Sequence, residues 1–168
     1  RVGSKNAKGL NSGFDALHLS LKALEVGPGD EVITVAHTFM ATISAIALVG
    51  AKPVFIDVGV VWNMDMQLLP AAIRPKTKAV IPVHLNGRMC DMDALAEILQ
   101  KFEDKGQKIY VIEDAAQALG AKFNGKSAGE VGTTGCFSHY PAKILGCFGE
   151  GGALTTNSQE MDEKILLL

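Results

Sequence analysis

Lys143 stands alone in the stretch GCFSHYPAKILGCFGEGGALTT, residues 135–156, between a Phe-Ser-His-Tyr-Pro segment and a run containing Gly149, Gly151 and Gly152. Most lysines are solvated surface charges. A lysine amine becomes a nucleophile or a base once its surroundings lower its proton affinity. The glycines favour that second use, because they remove side chains where a ligand or another backbone must come close. Asp114 follows the run KIYVI and precedes AAQ. An acid at a strand end with small neighbours can face a crevice, and the plainer alternative is a cap for a helix AAQALGA. Ser12 and Gly13, in LNSGFDALHL, precede an apolar helical pattern. Free N–H groups at a helix start bind anions, phosphate in particular, although an ordinary N-cap looks the same. An amine, an acid for a ring or cation, and a phosphate cradle together fit pyridoxal 5'-phosphate. Lys143 would bond its aldehyde carbon, and Asp114 would keep its pyridine nitrogen protonated.

The elements that must position these groups alternate between helix and strand. Leu17, Leu21 and Leu24, with Ala16 and Ala23, give SGFDALHLSLKALEV a helical face. GPGDEVITVA is a turn into a buried strand, and HTFMATISAIALVGA is a second apolar helix ended by Gly50. KPVFIDV, TKAVIPVHL and KIYVIED are strands; DMQLLPAAIR is a helix started or broken near Pro70; DMDALAEILQKFED is an amphipathic helix with an Asp cap. AKFNGKSAGE is expected as a surface turn, and GCFSHY and GALTTN as two further strands. Strands separated by helices imply right-handed crossovers and a mostly parallel sheet covered on both faces, in one α/β domain. Ligands of such sheets bind beyond the carboxyl ends of the strands. The polar residues there are Asp57, His84, Asn86, Glu113, Asp114 and Ser138.

Composition sets the outer bounds. The 168 residues are 48% hydrophobic and 20% charged, with 18 Gly and 6 Pro, which is a globular composition. A net charge of -2 gives no reason to expect nucleic acid or an acidic membrane surface. The longest apolar stretch is broken by Gly50, Lys52 and Pro53, too early for a membrane span. Cys90, Cys136 and Cys147 lack metal-binding spacing and read as reduced thiols of a cytoplasmic protein, with packing as their expected role. No G-x-G-x-x-G follows a strand, which argues against a dinucleotide binder. Residues 1–9 are polar, and the last residues, MDEKILLL, sit in an uncapped helical pattern, so the chain is expected to be truncated at both ends.

The segments NSGFDALHLSLKAL, GPGDEVITVAHTFMATISAI, GAKPVFIDV, TKAVIPVHLNG, VIEDAAQALGA and GCFSHYPAKILGCFGEGGALTT, in this order, resemble the DegT/DnrJ/StrS family of nucleotide-sugar aminotransferases. The resemblance implies the large domain of the aspartate-aminotransferase-type fold, a three-layer α/β/α sandwich over residues 1–168. It also implies a homodimer that moves an amino group, usually from glutamate, onto a keto sugar carried by a nucleotide diphosphate. The products would be aminosugars of glycosides or of cell-surface glycans such as lipopolysaccharide. Carried over by residue, Lys143 matches the Schiff-base lysine, Asp114 the acid on the pyridine nitrogen and Gln117 the residue near the phenolic oxygen. Ser138 matches a phosphate-binding hydroxyl and Phe39 the aromatic on the ring face, while Gly13, Phe14 and Asp15 would hold the phosphate through their backbone. No metal is implied.

The chain departs from the family pattern in places. Phe14 replaces a frequent Thr, as in members that aminate the third sugar carbon. His139 stands where an aromatic is frequent, and Asn86 where Tyr is; for His139, strand packing is expected ahead of catalysis. Members that dehydrate have a histidine at the lysine position, so Lys143 argues against that branch. The alternative to an enzyme is a non-catalytic truncated or regulatory protein on the same fold.

Overall fold

The structure, a computed structural model, describes residues 2–168. Its strands are β1 (Asn6–Leu10), β2 (Glu31–Val35), β3 (Lys52–Ile56), β4 (Thr77–Val80), β5 (Tyr110–Asp114), β6 (Lys122–Phe123), β7 (Lys126–Ser127), β8 (Thr134–Ser138) and β9 (Gly152–Thr156). The helices are α1 (Gly13–Ala23), α2 (Met40–Leu48), α3 (Leu69–Ala72), α4 (Met92–Glu103) and α5 (Gln159–Leu166). Seven strands form one sheet in the order β1-β9-β8-β5-β4-β2-β3, and β6 pairs with β7. Strands β3, β2, β4, β5 and β8 run parallel, and β9 is antiparallel to both β8 and β1.

Side-chain alternation explains why both faces carry helices. Val32 and Ile33 are neighbours in β2, yet they belong to different cores. Val32, Ile112 and Leu154 pack with Leu17 and Leu21 of α1, Ile46 of α2 and Ile165 of α5. Ile33, Val80 and Phe137 pack with Leu69 of α3 and Leu95 and Leu99 of α4. Leu21 and Leu95 are fully buried, and each such side chain contributes about 1.5–3 kcal/mol. The result is the expected α/β/α layering with a mostly parallel sheet.

Local signals set the helix ends. Ser12 Oγ accepts the N–H of Asp15 at 3.0 Å, and Asp91 Oδ1 that of Ala94 at 3.0 Å. Gly50, at φ +79°, lets the chain leave α2 in the left-handed region. Other expectations change. Strand β1 starts within residues 1–9, the segment read only as polar, and ends at Leu10; it forms because the edge of β9 is free to pair with it from Asn6↔Thr156 to Leu10↔Gly152. AKFNGKSAGE is a two-strand ribbon, closed by Asn124 and Gly125 at φ +48° and +82°, the conformation an Asn-Gly hairpin turn requires. AAQALGA forms no helix, so Asp114 caps none. Among the described residues, no helix is long and apolar enough to cross a membrane.

Candidate active site

A cavity of about 820 Å³ opens at the carboxyl ends of β2, β5 and β8, where the rule for open sheets puts ligands. Asp114 is the last residue of β5. Its N–H bonds Pro82 O and its carbonyl accepts from His84 N, both at 3.0 Å, so the main chain there is fixed. The side chain is 6% exposed. Ala116 N–H donates to Oδ1 at 3.2 Å, and Thr42 Oγ1–H donates to Oδ2 at 2.7 Å. Burial pushes the pKa of this carboxyl up, beyond what those hydrogen bonds and the charge of Lys143 pull down. A cation arriving from the cavity would stabilise its charged form.

Lys143 lines the same cavity, half-buried, from the loop that joins β8 to β9. That loop is clasped by His139. Its N–H donates to Gly151 O at 2.7 Å, its carbonyl accepts from Cys147 N at 2.8 Å, and Nδ1 lies 3.0 Å from Leu145 O. A carbonyl only accepts, so Nδ1 carries the proton. His139 thus lies just past β8 and holds the lysine loop, a role different from the strand packing expected of it. Gly13 and Gly152 serve close packing of the chain on itself. A β-carbon on Gly13 would sit 2.7 Å from Ser138 Cβ, and one on Gly152 would collide with the Ser12 carbonyl. These contacts pin the start of α1 to the ends of β8 and β9. Burial raises the thiol pKa of both Cys136 and Cys90, the latter to about 12, so both are packing groups.

Ser12, Gly13 and Phe14 reach the cavity wall, next to Ser138. Asp15, expected with them, is not on that wall. Its N–H is already taken by Ser12 Oγ, which leaves the first two N–H groups of the helix to face an anion. Phe39, the residue before α2, lies along the wall with 72% of its surface exposed, and Gln117 lines the cavity from the turn after β5. Seven of the eight expected residues therefore share one cavity. Of the other strand-end polar residues, Asp57, His84, Asn86 and Glu113 lie off the wall. Thr38, Thr42, Asn11, Tyr140 and Glu150 line it without having been anticipated. The spacing of Thr38 and Thr42, one helical turn apart beside Phe39, was the available signal.

The profile of the DegT/DnrJ/EryC1/StrS aminotransferase family matches residues 1–168. The chain belongs to this family. Among its family relatives, the pleiotropic regulatory protein of Geobacillus stearothermophilus is 51% identical over 96% of this chain and 42% of its own length. The UDP-2-acetamido-2-deoxy-3-oxo-D-glucuronate aminotransferase of Pseudomonas aeruginosa is 48% identical over 95% of this chain and 44% of its own length. The chain thus spans less than half the length of the curated relatives it matches. The crystal structure of DesV from S. venezuelae, 43% identical, superposes with a TM-score of 0.93 over 99% of this chain and 44% of that one. Spr1654 of Streptococcus pneumoniae in its PLP form, 36% identical, also gives 0.93, over 99% of this chain and 47% of that one. The fold is that of the type I pyridoxal-phosphate aminotransferases.

Proposed function

We propose that this chain is the large domain, or part of it, of a cytoplasmic pyridoxal-phosphate-dependent aminotransferase. Its substrates would be glutamate and a keto sugar linked to a nucleotide diphosphate, for aminosugar biosynthesis. One observation carries the reading: a half-buried lysine, a buried carboxylate of raised pKa and an open helix start share one cavity. The residues present fit the cofactor. The close approach of Gly13 to Ser138 sets the first N–H groups of α1 beside the Ser138 residue, a pairing that suits a phosphate. The buried carboxylate calls for a cationic partner of the kind a protonated ring nitrogen provides.

When bound, the cofactor supplies an electron sink for the carbon that loses its proton. The chain's residues do the rest. The N–H groups of Gly13 and Phe14, with the Ser138 hydroxyl, bind the phosphate and set the position of the ring. Asp114 would keep a proton on the ring nitrogen, Gln117 would donate toward the phenolic oxygen, and the Phe39 ring would cover one face and exclude water. Lys143 would hold the aldehyde end of the cofactor, and its Nζ would serve as the base that moves a proton at the reacting carbon. Phe14 and the 3-oxo sugar in the Pseudomonas relative's name both favour amination at the third sugar carbon. The enzyme would work as a homodimer, a reading supported by the exposed apolar residues Ile144 and Leu145 beside Lys143.

Adding pyridoxal phosphate to the purified protein should give a visible absorbance band that bleaches with glutamate. In Lys143→Ala the band should be absent. A protein without the band, or a band unchanged in Lys143→Ala, would refute the assignment. A second reading, regulation without turnover, rests on the name of the Geobacillus relative. It predicts the band without bleaching and without amine transfer to any nucleotide keto sugar.

A further inference from the structure

Thr42 lies in the first turn of α2, three residues past Phe39, and is fully buried. Its Oγ1 is 2.7 Å from Asp114 Oδ2 and 2.7 Å from Thr38 Oγ1. Chemistry fixes the direction of this chain. An ionised carboxylate only accepts, so the single Thr42 proton goes to Asp114, and the Thr38 hydroxyl must donate to Thr42. Ala116 N–H occupies Oδ1 at 3.2 Å. Each carboxylate oxygen is therefore tethered from the protein side, which restricts a terminal torsion that is otherwise broad. The lone pairs left over face the cavity, whose wall includes both threonines.

We propose that Thr42, backed by Thr38, is a positioning residue that aims the Asp114 carboxylate at the ring nitrogen of the cofactor. The proposal rests on the cofactor assignment made above. Burial opposes ionisation of Asp114, and the Thr42 hydrogen bond is the largest influence working the other way. Ala116 N–H alone would leave the carboxylate free to turn and less charged.

The test is cofactor affinity in the full-length polypeptide, measured by equilibrium dialysis of the apo-protein. Two ligands are compared: pyridoxal phosphate, and its 1-deaza analogue, in which a carbon replaces the ring nitrogen. Thr42→Val removes the donor at almost constant volume and should weaken pyridoxal phosphate by roughly tenfold, the scale of one hydrogen bond to a charged group. Affinity for the deaza analogue should not change, since it offers no ring nitrogen to Asp114. Thr42→Ser should restore binding. Thr38→Val, which leaves Asp114 and its direct donor in place, should give a smaller loss in the same direction and keeps the test open if Thr42→Val does not fold. Equal weakening of both ligands would reduce Thr42 to a core hydroxyl and overturn the proposal. So would unchanged affinity in Thr42→Val alongside a large loss in Asp114→Asn, a result that leaves the cofactor assignment standing. Unchanged affinity in Asp114→Asn would overturn both.

Discussion

Glu113 and Asp114 are adjacent at the end of β5, and their surroundings drive them apart. Glu113 is fully buried. Burial alone would raise its pKa, but His84 Nε2–H at 2.9 Å and the N–H groups of Gly129, Val131 and Gly132 bind the carboxylate and bring it below the ordinary value. His84 Nδ1 accepts Cys90 N–H at 3.2 Å, so the ring proton sits on Nε2, where Glu113 needs it. The two acids then have opposite linkage. The stability from Glu113 is present above its unfolded pKa of about 4.3 and is lost as pH falls through the depressed folded value. The raised pKa of Asp114 contributes below about 3.9 and is lost as pH rises through the folded value. Glu113→Gln places an amide N–H₂ among donors and should lower apo-protein stability at pH 7 by on the order of 2–4 kcal/mol. In urea denaturation the gap between variant and wild type should narrow as pH falls below about 4.3 toward the depressed folded value; a constant gap would mean the loss is one of packing. The strand-end rule gathers both acids, and only the small residues after Asp114 single it out in the sequence. Consecutive strand side chains point to opposite faces, and which face holds the cavity is set by helices far along the chain. For Thr42 the i, i+4 spacing with Thr38 was the one local signal, and it gains meaning only once Asp114 of β5 is known to be its partner.

The site exists because two elements are pressed together, the start of α1 and the end of β8. Gly13 is the point of contact. A β-carbon there would lie 2.7 Å from Ser138 Cβ and 3.0 Å from its Cα, and backbone cannot swing aside as a flexible side chain can. Gly13→Ala should therefore push the first N–H groups of α1 away from the Ser138 hydroxyl. The expected result is a loss of about tenfold or more in affinity for pyridoxal phosphate, the scale of weakened charge-assisted hydrogen bonds. Affinity for pyridoxal, which has no phosphate, should change little. Equal losses for the two ligands would show that the substitution had unfolded the region rather than moved the anion cradle. Helices α1, α2 and α4 were readable because their apolar spacing and their Ser12, Gly50 and Asp91 signals are local. Strand β1 was not, because its five residues gain strand structure only by pairing with β9, more than a hundred residues later. The glycines around Lys143 were read as room for a ligand or a backbone. Gly152 serves the backbone of Ser12, Gly151 gives room to the Cys147 and His139 side chains, and Gly149 meets nothing, distinctions that spacing cannot make.

At the scale of the molecule, the loop that carries Lys143 leaves large apolar groups bare. Ile144 is 66% exposed and Leu145 60%, immediately after the lysine, and Phe39 and Met40 are exposed at the start of α2. Clustered apolar surface on a folded domain marks an interface, and the homodimer proposed above gives it an occupant. In a two-fold dimer a self-complementary patch counts twice, once from each protomer. Burying an Ile or Leu side chain is worth about 1.5–3 kcal/mol, so charging both positions should weaken a dimer by well over a hundredfold. Sedimentation velocity on Ile144→Asp/Leu145→Asp should show a monomer at concentrations where the wild-type protein is dimeric. The double variant should keep its thermal unfolding midpoint when both proteins are compared as monomers, because these side chains contribute little to the cores of a single chain. A wild-type protein that stays monomeric at every concentration would remove the dimer from the proposal. A double variant that still dimerises would move the interface away from the lysine loop. Loss of cofactor affinity together with dimerisation would mean that the partner copy shields or completes the cavity, and that one protomer alone holds the catalytic groups without a closed site.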